Sequence, residues 1–393
     1  MTINSEKWIE SLPNEWSITK IGNHFKCRNE KVNDTDFPPL SVAKQGVVPQ
    51  IETVAKTDAN DNRKLVLIND FVINSRSDRK ESCGLSKLNG SVSLINHVLY
   101  QNGQDYYRPF VGILFKNYGF AEEFYRWGHG IVADLWTTRW QEMKNIEIPL
   151  PPLKEQKLIF DFLTNRTSKI DQLISNQEKQ IEKLKEYRQA IITKAVTKGL
   201  NPNVPMKDSG VAWIGEIPEK WGKCRLKNVI TIENGKEIID DGGNIPVYGS
   251  GGIFKFTDRP IFVGQSLLMG RKGTIDKPML VDGPFWTVDT MFYTSRIENI
   301  NARFLYYACS GLINFDFYKS GSVLPSMTQT ELYNVWITLP GPSEQQEIAD
   351  YLDGKCTKIK KFIDIKKEKI GKLQDYKKSL VYEYVTGKKA VEA

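Results

Sequence analysis

Histidine is scarce in this sequence of 393 residues: His24, His97 and His129 each stand alone. The five cysteines, Cys27, Cys83, Cys224, Cys309 and Cys356, lie far apart with no C-x-x-C pair. That excludes zinc-type spacing and fits a reduced compartment. Long hydrophobic runs are missing too: no stretch reaches the about 18 apolar residues of a membrane span, and the N-terminus has no signal-type apolar segment. A cytoplasmic protein is the expectation. Catalytic signatures are also absent. There is no Asn/Asp-Pro-Pro-aromatic methyltransferase tetrad, no Walker motif and no Gly-rich dinucleotide fingerprint. Gly270-Arg271-Lys272-Gly273-Thr274 lacks phosphate-loop spacing, and acidic pairs such as Asp240-Asp241 read as turn residues rather than acid–base partners. No catalytic residue and no metal or cofactor site is assigned.

What is present is a globular composition, 40% hydrophobic and 11% aromatic, with a formal net charge of +7. The length allows two or three domains. The mild basicity permits nucleic-acid binding without requiring it. Lysine runs, Lys360-Lys361, Lys366-Lys367 and Lys377-Lys378, read either as a solvated helix face or as a surface for DNA or an acidic partner.

The chain is organised around a segment that occurs twice. Ile148-Pro149-Leu150-Pro151-Pro152 leads to Glu155-Gln156 and then a long helical pattern; Ile337-Thr338-Leu339-Pro340 leads likewise to Glu344-Gln345. The offset is 189 throughout, and 17 of 50 ungapped positions are identical, which indicates a duplication. An apolar seam repeats with it. Leu163, Ile170, Ile174, Ile181, Leu184 and Ile191 match Leu352, Ile359, Ile363, Ile370, Leu373 and Leu380. Their 7, 4, 7, 3, 7 spacing is an a/d stripe, with Gln177 and Lys366 at matching polar points that can fix register. Helices of roughly 40 residues are about 60 Å long, too long for one small domain, so the two are expected to pack on each other.

Trp8-Ile9, Pro13, Trp16 and Ile21 match Trp213-Ile214, Pro218, Trp221 and Leu226 at an offset of 205. The cores between, about 24–133 and 229–322, do not align convincingly. The first core has strand-like runs at Lys64–Ile68, Phe71–Asn74, Ser91–Ile95 and Val111–Phe115, and a helix pattern at Ala121–Gly128. The second has short apolar runs at Ile261–Val263, Ser266–Met269, Met279–Val281 and Thr290–Tyr293, and a helix pattern at Ala302–Ser310. Both read as compact α+β modules. The expected divisions are a first module over 1–147, a helix over 148–200, a linker over 201–212, a second module over 213–336 and a second helix over 337–393. Chain geometry favours antiparallel helices with a module at each end, related by a pseudo-twofold axis.

This layout resembles the DNA specificity subunit of type I restriction–modification systems. The resemblance covers essentially the whole chain. It rests on Leu150-Pro151-Pro152…Glu155-Gln156, on Leu339-Pro340…Glu344-Gln345, and on the central segment Lys207-Asp208-Ser209-Gly210-Val211-Ala212-Trp213-Ile214-Gly215-Glu216-Ile217-Pro218 followed by Trp221. Gly341-Pro342 departs from Pro152-Leu153 of the first copy without disturbing the match. The resemblance implies two target-recognition modules, each reading half of a bipartite double-stranded DNA target, with the helices as spacer. It implies a subunit without catalysis of its own. Two adenine-methylating partner subunits would use S-adenosylmethionine, and further restriction and translocase subunits would use ATP and Mg. The helical pair should dock the methylating subunits on surfaces outside the seam, including Tyr187 and Tyr376.

Candidate DNA-contacting residues follow from side-chain chemistry, since Arg reads guanine, Asn reads adenine, and Ser, Thr and Lys hold phosphates. In the first core these are Asn74, Ser75, Arg76, Arg79 and Lys80, in a stretch with Ser77 and Asp78; Ser86-Lys87 is a weaker choice. Later come Thr137, Thr138 and Arg139, between Trp136 and Trp140. In the second core they are Tyr248 and Ser250, then Gly270, Arg271, Lys272 and Thr274, and finally Ser326 and Gln329 within 320–329, the stretch matching that around Trp136. Against these stand two other readings: a protein–protein adaptor with two ligand-binding modules on a coiled coil, and a self-contained enzyme. Salt-dependent duplex binding separates the first from DNA recognition; activity without a partner would mark the second.

Overall fold

The computed structural model describes residues 8–51, 61–76, 79–130, 136–238, 242–319 and 324–391. Ser77, Asp78, Leu135, Asp240, Asp241 and Ser320, all marked in the sequence, lie outside the described residues. The chain is α+β. It divides into two compact units, residues 1–176 with 368–393, and residues 177–367. Each unit therefore holds one α+β module and a half of both long helices, Leu153–Lys198 (46 residues) and Pro342–Val385 (44 residues).

Within each unit the helix halves run antiparallel. In the first, Lys377 Nζ meets Asp171 Oδ1 at 2.6 Å, and Tyr384 stacks on Phe162 with ring centroids 4.7 Å apart. Partners rise on one helix as they fall on the other. In the second, Lys366 Nζ donates to Gln177 Oε1 at 3.4 Å and also to Gln180 Oε1, while Arg188 lies beside Cys356. The seam lies where the a/d stripe places it, half of its residues buried and half partly exposed. Leu163, Ile170 and Leu380 are buried in the first unit, with Ile174 and Leu373 partly buried against the same core. Ile181, Leu352 and Ile359 are buried in the second. Leu184, Ile191, Ile363 and Ile370 are half-buried.

The modules share one plan. In the first, strands Phe25–Cys27, Asn96–Gln101, Phe71–Asn74 and Cys83–Leu85 pair in that spatial order. In the second, Ile230–Asn234, Met291–Ile297, Ser266–Gly270 and Met279–Val281 pair in the same order, again antiparallel. The duplication thus includes the cores, although their sequences do not align: one sheet topology tolerates many apolar residues on its buried face. A second difference from the sequence reading concerns Val111–Phe115, which is not a strand but the end of a helix with its C-cap Phe115. It lies in the helix Arg108–Leu114, whose first turn carries Pro109 and whose Phe110, Val111 and Leu114 face the core at helical spacing. The following helix, Tyr118–Arg126, starts three residues earlier than the pattern suggests because the Asn117 side chain caps Phe120 N.

The Glu-Gln signature is what docks each module on its helix. The Trp16 indole donates to Glu155 Oε2 at 2.8 Å, and the Trp221 indole to Glu344 Oε2 at 2.7 Å. Gln156 is buried; its Nε2 donates to Pro151 O and its Oε1 accepts from Tyr107 N at 2.7 Å, at the start of a module helix. Gln345 repeats this with Pro340 O and Asn301 N, also at 2.7 Å. The stretch 201–212 is not extended chain alone: Met206–Asp208 pairs with Glu216–Pro218, and Val211 and Ile214 are buried in the second unit's core.

Candidate nucleic-acid interface

In each unit one basic turn follows the third strand of the sheet order. In the first, Phe71–Asn74 ends in Ser75 and Arg76. Arg76 bridges to Thr137, and Thr138 N donates to Ser75 O at 3.0 Å. In the second, Ser266–Gly270 ends in Arg271 and Lys272. Lys272 bridges to Ser326, and Met327 N donates to Arg271 O at 3.0 Å. Stretches separated by more than 50 residues in sequence are thereby joined in the same way twice. Thr137 and Ser326 are related by the 189 offset of the helices.

Further groups gather around the second turn. Arg271 N donates to Thr290 O at 2.8 Å, Ser250 N donates to Thr290 Oγ1 at 3.4 Å, and Gly273 N donates to Pro325 O at 2.9 Å. Ser250, Arg271, Lys272, Thr274 and Ser326 are thereby gathered together, whereas the half-buried Tyr248 ring packs edge-on against buried Phe285, with ring centroids 6.4 Å apart. Two glycines make the turn possible. A Cβ at Gly270 would collide with the Thr274 carbonyl, and Gly273 sits at φ +81°. The Arg271 side chain reaches Asp289 O at 3.3 Å and lies over the Phe292 ring, which leaves its guanidinium oriented but half-exposed.

Not every candidate presents its side chain. Thr138 is 1% exposed, its hydroxyl donating to Phe124 O at 2.6 Å. Ser75 and Gly270 are buried, and the Gln329 amide donates to Ile232 O. Ser86, the weaker choice, is buried with its hydroxyl on Leu88 O. These residues shape the surface rather than stand on it; at Ser75 and Thr138 this is because an extended turn pinned at its backbone turns alternate side chains inward. Lys80 pairs with Glu122 at 3.0 Å and lies 4.1 Å from the Tyr125 ring centroid. Arg76, Arg79, Arg139 and Lys272 are exposed, Asn74 and Thr137 half-exposed. The cavity beneath the first turn, lined by Asn74, Arg76, Tyr125 and Trp136 among others, measures about 20 Å³. That is room for about one water, so the turn's chemistry faces outward to a surface, not inward to a small ligand.

Sequence reasoning missed His97 and Thr290. His97, on the strand beside Phe71–Asn74, holds the Thr138 carbonyl through Nε2 at 2.8 Å. Burial keeps its imidazole below the ordinary range, and the charge of Lys64 pushes the same way, against the Thr138 hydrogen bond and Glu142. Neither residue carries a sequence signal, since each acts on a neighbour distant in the chain. Among the described residues no group of three or more His, Cys, Asp or Glu is placed to hold a metal ion, and no helix is long and apolar enough to cross a membrane.

A family model, that of the type I restriction modification DNA specificity domain, matches residues 137–183 and 218–387, more than half of the chain. The chain belongs to this specificity family. The matched residues take in both Glu-Gln signatures and most of the second unit. The type I restriction enzyme MjaVIII specificity subunit of Methanocaldococcus jannaschii is 30% identical over 250 residues, 53% of this chain and 55% of that protein. The chain spans about half the length of the curated relatives it matches. Among solved structures, a chain from a study of complex assembly and conformational transition of the type I R-M system is similar with a TM-score of 0.71 at 15% identity, covering 96% of this chain and 99% of that one. At that identity the likeness is one of fold. The HsdS subunit from Thermoanaerobacter tengcongensis matches at a TM-score of 0.45 and 17% identity, over 98% of this chain and all of that one.

Proposed function

We propose that the protein is the sequence-reading subunit of a type I restriction–modification assembly, with each module reading one half of an asymmetric, interrupted DNA target. The observation that carries this is the twofold occurrence of the bridged basic turn, Arg76 with Thr137 and Lys272 with Ser326. Cations on a fixed backbone suit phosphates and guanine edges, and the half-site chemistry differs because the side chains differ. The reading residues assigned are Asn74, Arg76, Arg79, Lys80, Thr137 and Arg139 in one module, and Tyr248, Ser250, Arg271, Lys272, Thr274 and Ser326 in the other. The functional divisions are those given by the sequence: modules over 1–147 and 213–336, spacer helices over 148–200 and 337–393, and a connection over 201–212.

In this reading the chain is non-catalytic. Two methyltransferase subunits supply adenine methylation with S-adenosylmethionine, and restriction subunits with ATP and Mg complete the assembly in the cytoplasm. The helices set the half-site spacing and offer exposed apolar residues to the methyltransferases, among them Tyr187 at 53% and Tyr376 at 57% exposure. Aromatic side chains at that exposure suit a protein partner.

The test is a methylation map. The chain is expressed with its companion methyltransferase subunit in a host lacking adenine methylation, and modified bases are sequenced genome-wide. One interrupted, asymmetric motif is expected, and exchanging residues 24–133 should change only one half. No methylation from a verified complex would instead favour the adaptor reading.

A further inference from the structure

The second module carries a feature that the basic turn does not explain. Strand Gly252–Thr257 forms a hairpin with Ile245–Gly249 and is an edge strand of its sheet among the described residues. Its Ile253, Phe254 and Phe256 side chains are 51%, 59% and 48% exposed. An apolar edge of this kind is an aggregation hazard that folds avoid unless something covers it.

The hairpin register isolates one of these residues. Val247 pairs with Lys255 and Tyr248 with Ile253, so Phe254 is the extra, unpaired residue of a β-bulge. Bulges bend a strand and re-aim one side chain. Here the ring is aimed at Gly249: a Cβ at that position would stand 3.4 Å from both Cδ1 and Cε1 of Phe254. The ring thus rests on bare backbone one residue before Ser250. Ser250 in turn is tied to Thr290 and adjoins Gly273 of the basic turn, where an added Cβ would stand 3.2 Å from Ser250 Oγ. One chain of contacts links Phe254 to Arg271 and Lys272.

We propose that Phe254 is a DNA-contacting residue of the second module, its exposed face making an apolar contact with the bases of the half-site that Arg271 and Lys272 approach. This rests on the functional reading above. The chemistry selects the occupant. An exposed apolar ring whose supporting backbone is tied to a basic turn suits a partner with flat apolar faces flanked by anions. Duplex DNA has that character, with base faces and thymine methyls between phosphates, and apolar side chains at base steps are an established means of reading it. The bulge holds the ring in place before DNA arrives, so little side-chain freedom is lost on binding.

The experiment measures binding by the assembled complex of the full chain with its methyltransferase subunits. The probes are a duplex carrying the sequence that the wild-type complex methylates and a duplex of equal length without it. Phe254→Ala should weaken target binding tenfold or more, leave binding to the second duplex within twofold, and relax only the half-site that Arg271→Ala also relaxes. An apolar contact releases no counterions, so the slope of log K against log salt should not change, whereas loss of a phosphate-binding cation lowers it by about 0.9. Phe254→Trp should retain most of the affinity, and thermal melts should match the wild type. Target binding by Phe254→Ala within twofold of wild type would overturn the proposal. So would loss of assembly with the methyltransferase subunits at unchanged melting, which would assign the ring to a protein partner. If Arg271→Ala with Lys272→Ala is also without effect, the DNA-reading function fails as well; if only Phe254→Ala is without effect, that function stands and this inference alone falls.

Discussion

Lys366 Nζ reaches Gln177 Oε1 at 3.4 Å, and these two residues are each other's duplicates, 189 positions apart. In an antiparallel pair built from a repeated helix, a position meets its own copy at only one level. Here that level is polar, and Lys366 also donates to Gln180. A polar contact in an apolar seam stabilises one register at a cost in overall stability. Replacing both residues, Gln177→Leu with Lys366→Leu, should raise stability by about 1 kcal/mol or more while loosening register. Thermal melts and cysteine crosslinks between the helices measure both effects; unchanged crosslinking with raised stability would mean that the rest of the seam sets register alone.

The glutamine of each Glu-Gln signature should matter more than any exposed residue of its helix. Gln345→Ala leaves the Asn301 N–H and the Pro340 carbonyl without their partner in a nearly dry site. A buried group orphaned in this way costs about 1–3 kcal/mol. The melting transition should fall accordingly, and Gln156→Ala should do the same through Tyr107 and Pro151. A loss below about 0.5 kcal/mol, within the range of ordinary surface substitutions, would show that water replaces the side chain.

Arg271→Ala should change reading of one half-site only. Loss of a bidentate base contact costs about 1–3 kcal/mol of discrimination. A methylation map of the variant should show degeneracy at one position of the half-site assigned to the second module. Equal weakening on every sequence, with a lower salt slope, would make Arg271 a phosphate contact.

Low pH should loosen the first turn. His97 is neutral in the folded protein because burial depresses its pKa, whereas in the unfolded chain it titrates near the ordinary value of about 6.5. Protons thus bind the unfolded state more readily in the window below that value. The stability contribution is complete above about pH 6.5 and declines as pH falls toward the depressed folded value, by up to about 1.4 kcal/mol per pH unit. Denaturant titrations between pH 7 and 5 should show the decline, and His97→Gln should remove that share of it. An equal slope in the variant would place the linkage elsewhere.

The sequence alone determined the frame. A 7, 4, 7, 3, 7 apolar spacing can be satisfied only by helices that bury one stripe. A repeated frame, offset by 205 at the tryptophans and by 189 at the Glu-Gln signatures, leads one to expect that whatever Trp16 does to Glu155, Trp221 does to Glu344. Local pattern also found most strands and the basic turns. It failed at Val111–Phe115, where a short apolar run has no period of its own and the neighbouring Pro109 and the Gln156 contact decide for helix. Only the tertiary structure decided which candidates face outward. Thr137 and Thr138 are chemically alike and adjacent, yet the Ser75 backbone and the Phe124 carbonyl take Thr138 into the interior. Only tertiary structure showed that the two unalignable cores share one sheet order, because strand pairing is set by backbone hydrogen bonds that many side chains permit. The bulge that aims Phe254 is likewise a fact of register, which depends on the partner strand and is written in neither strand by itself.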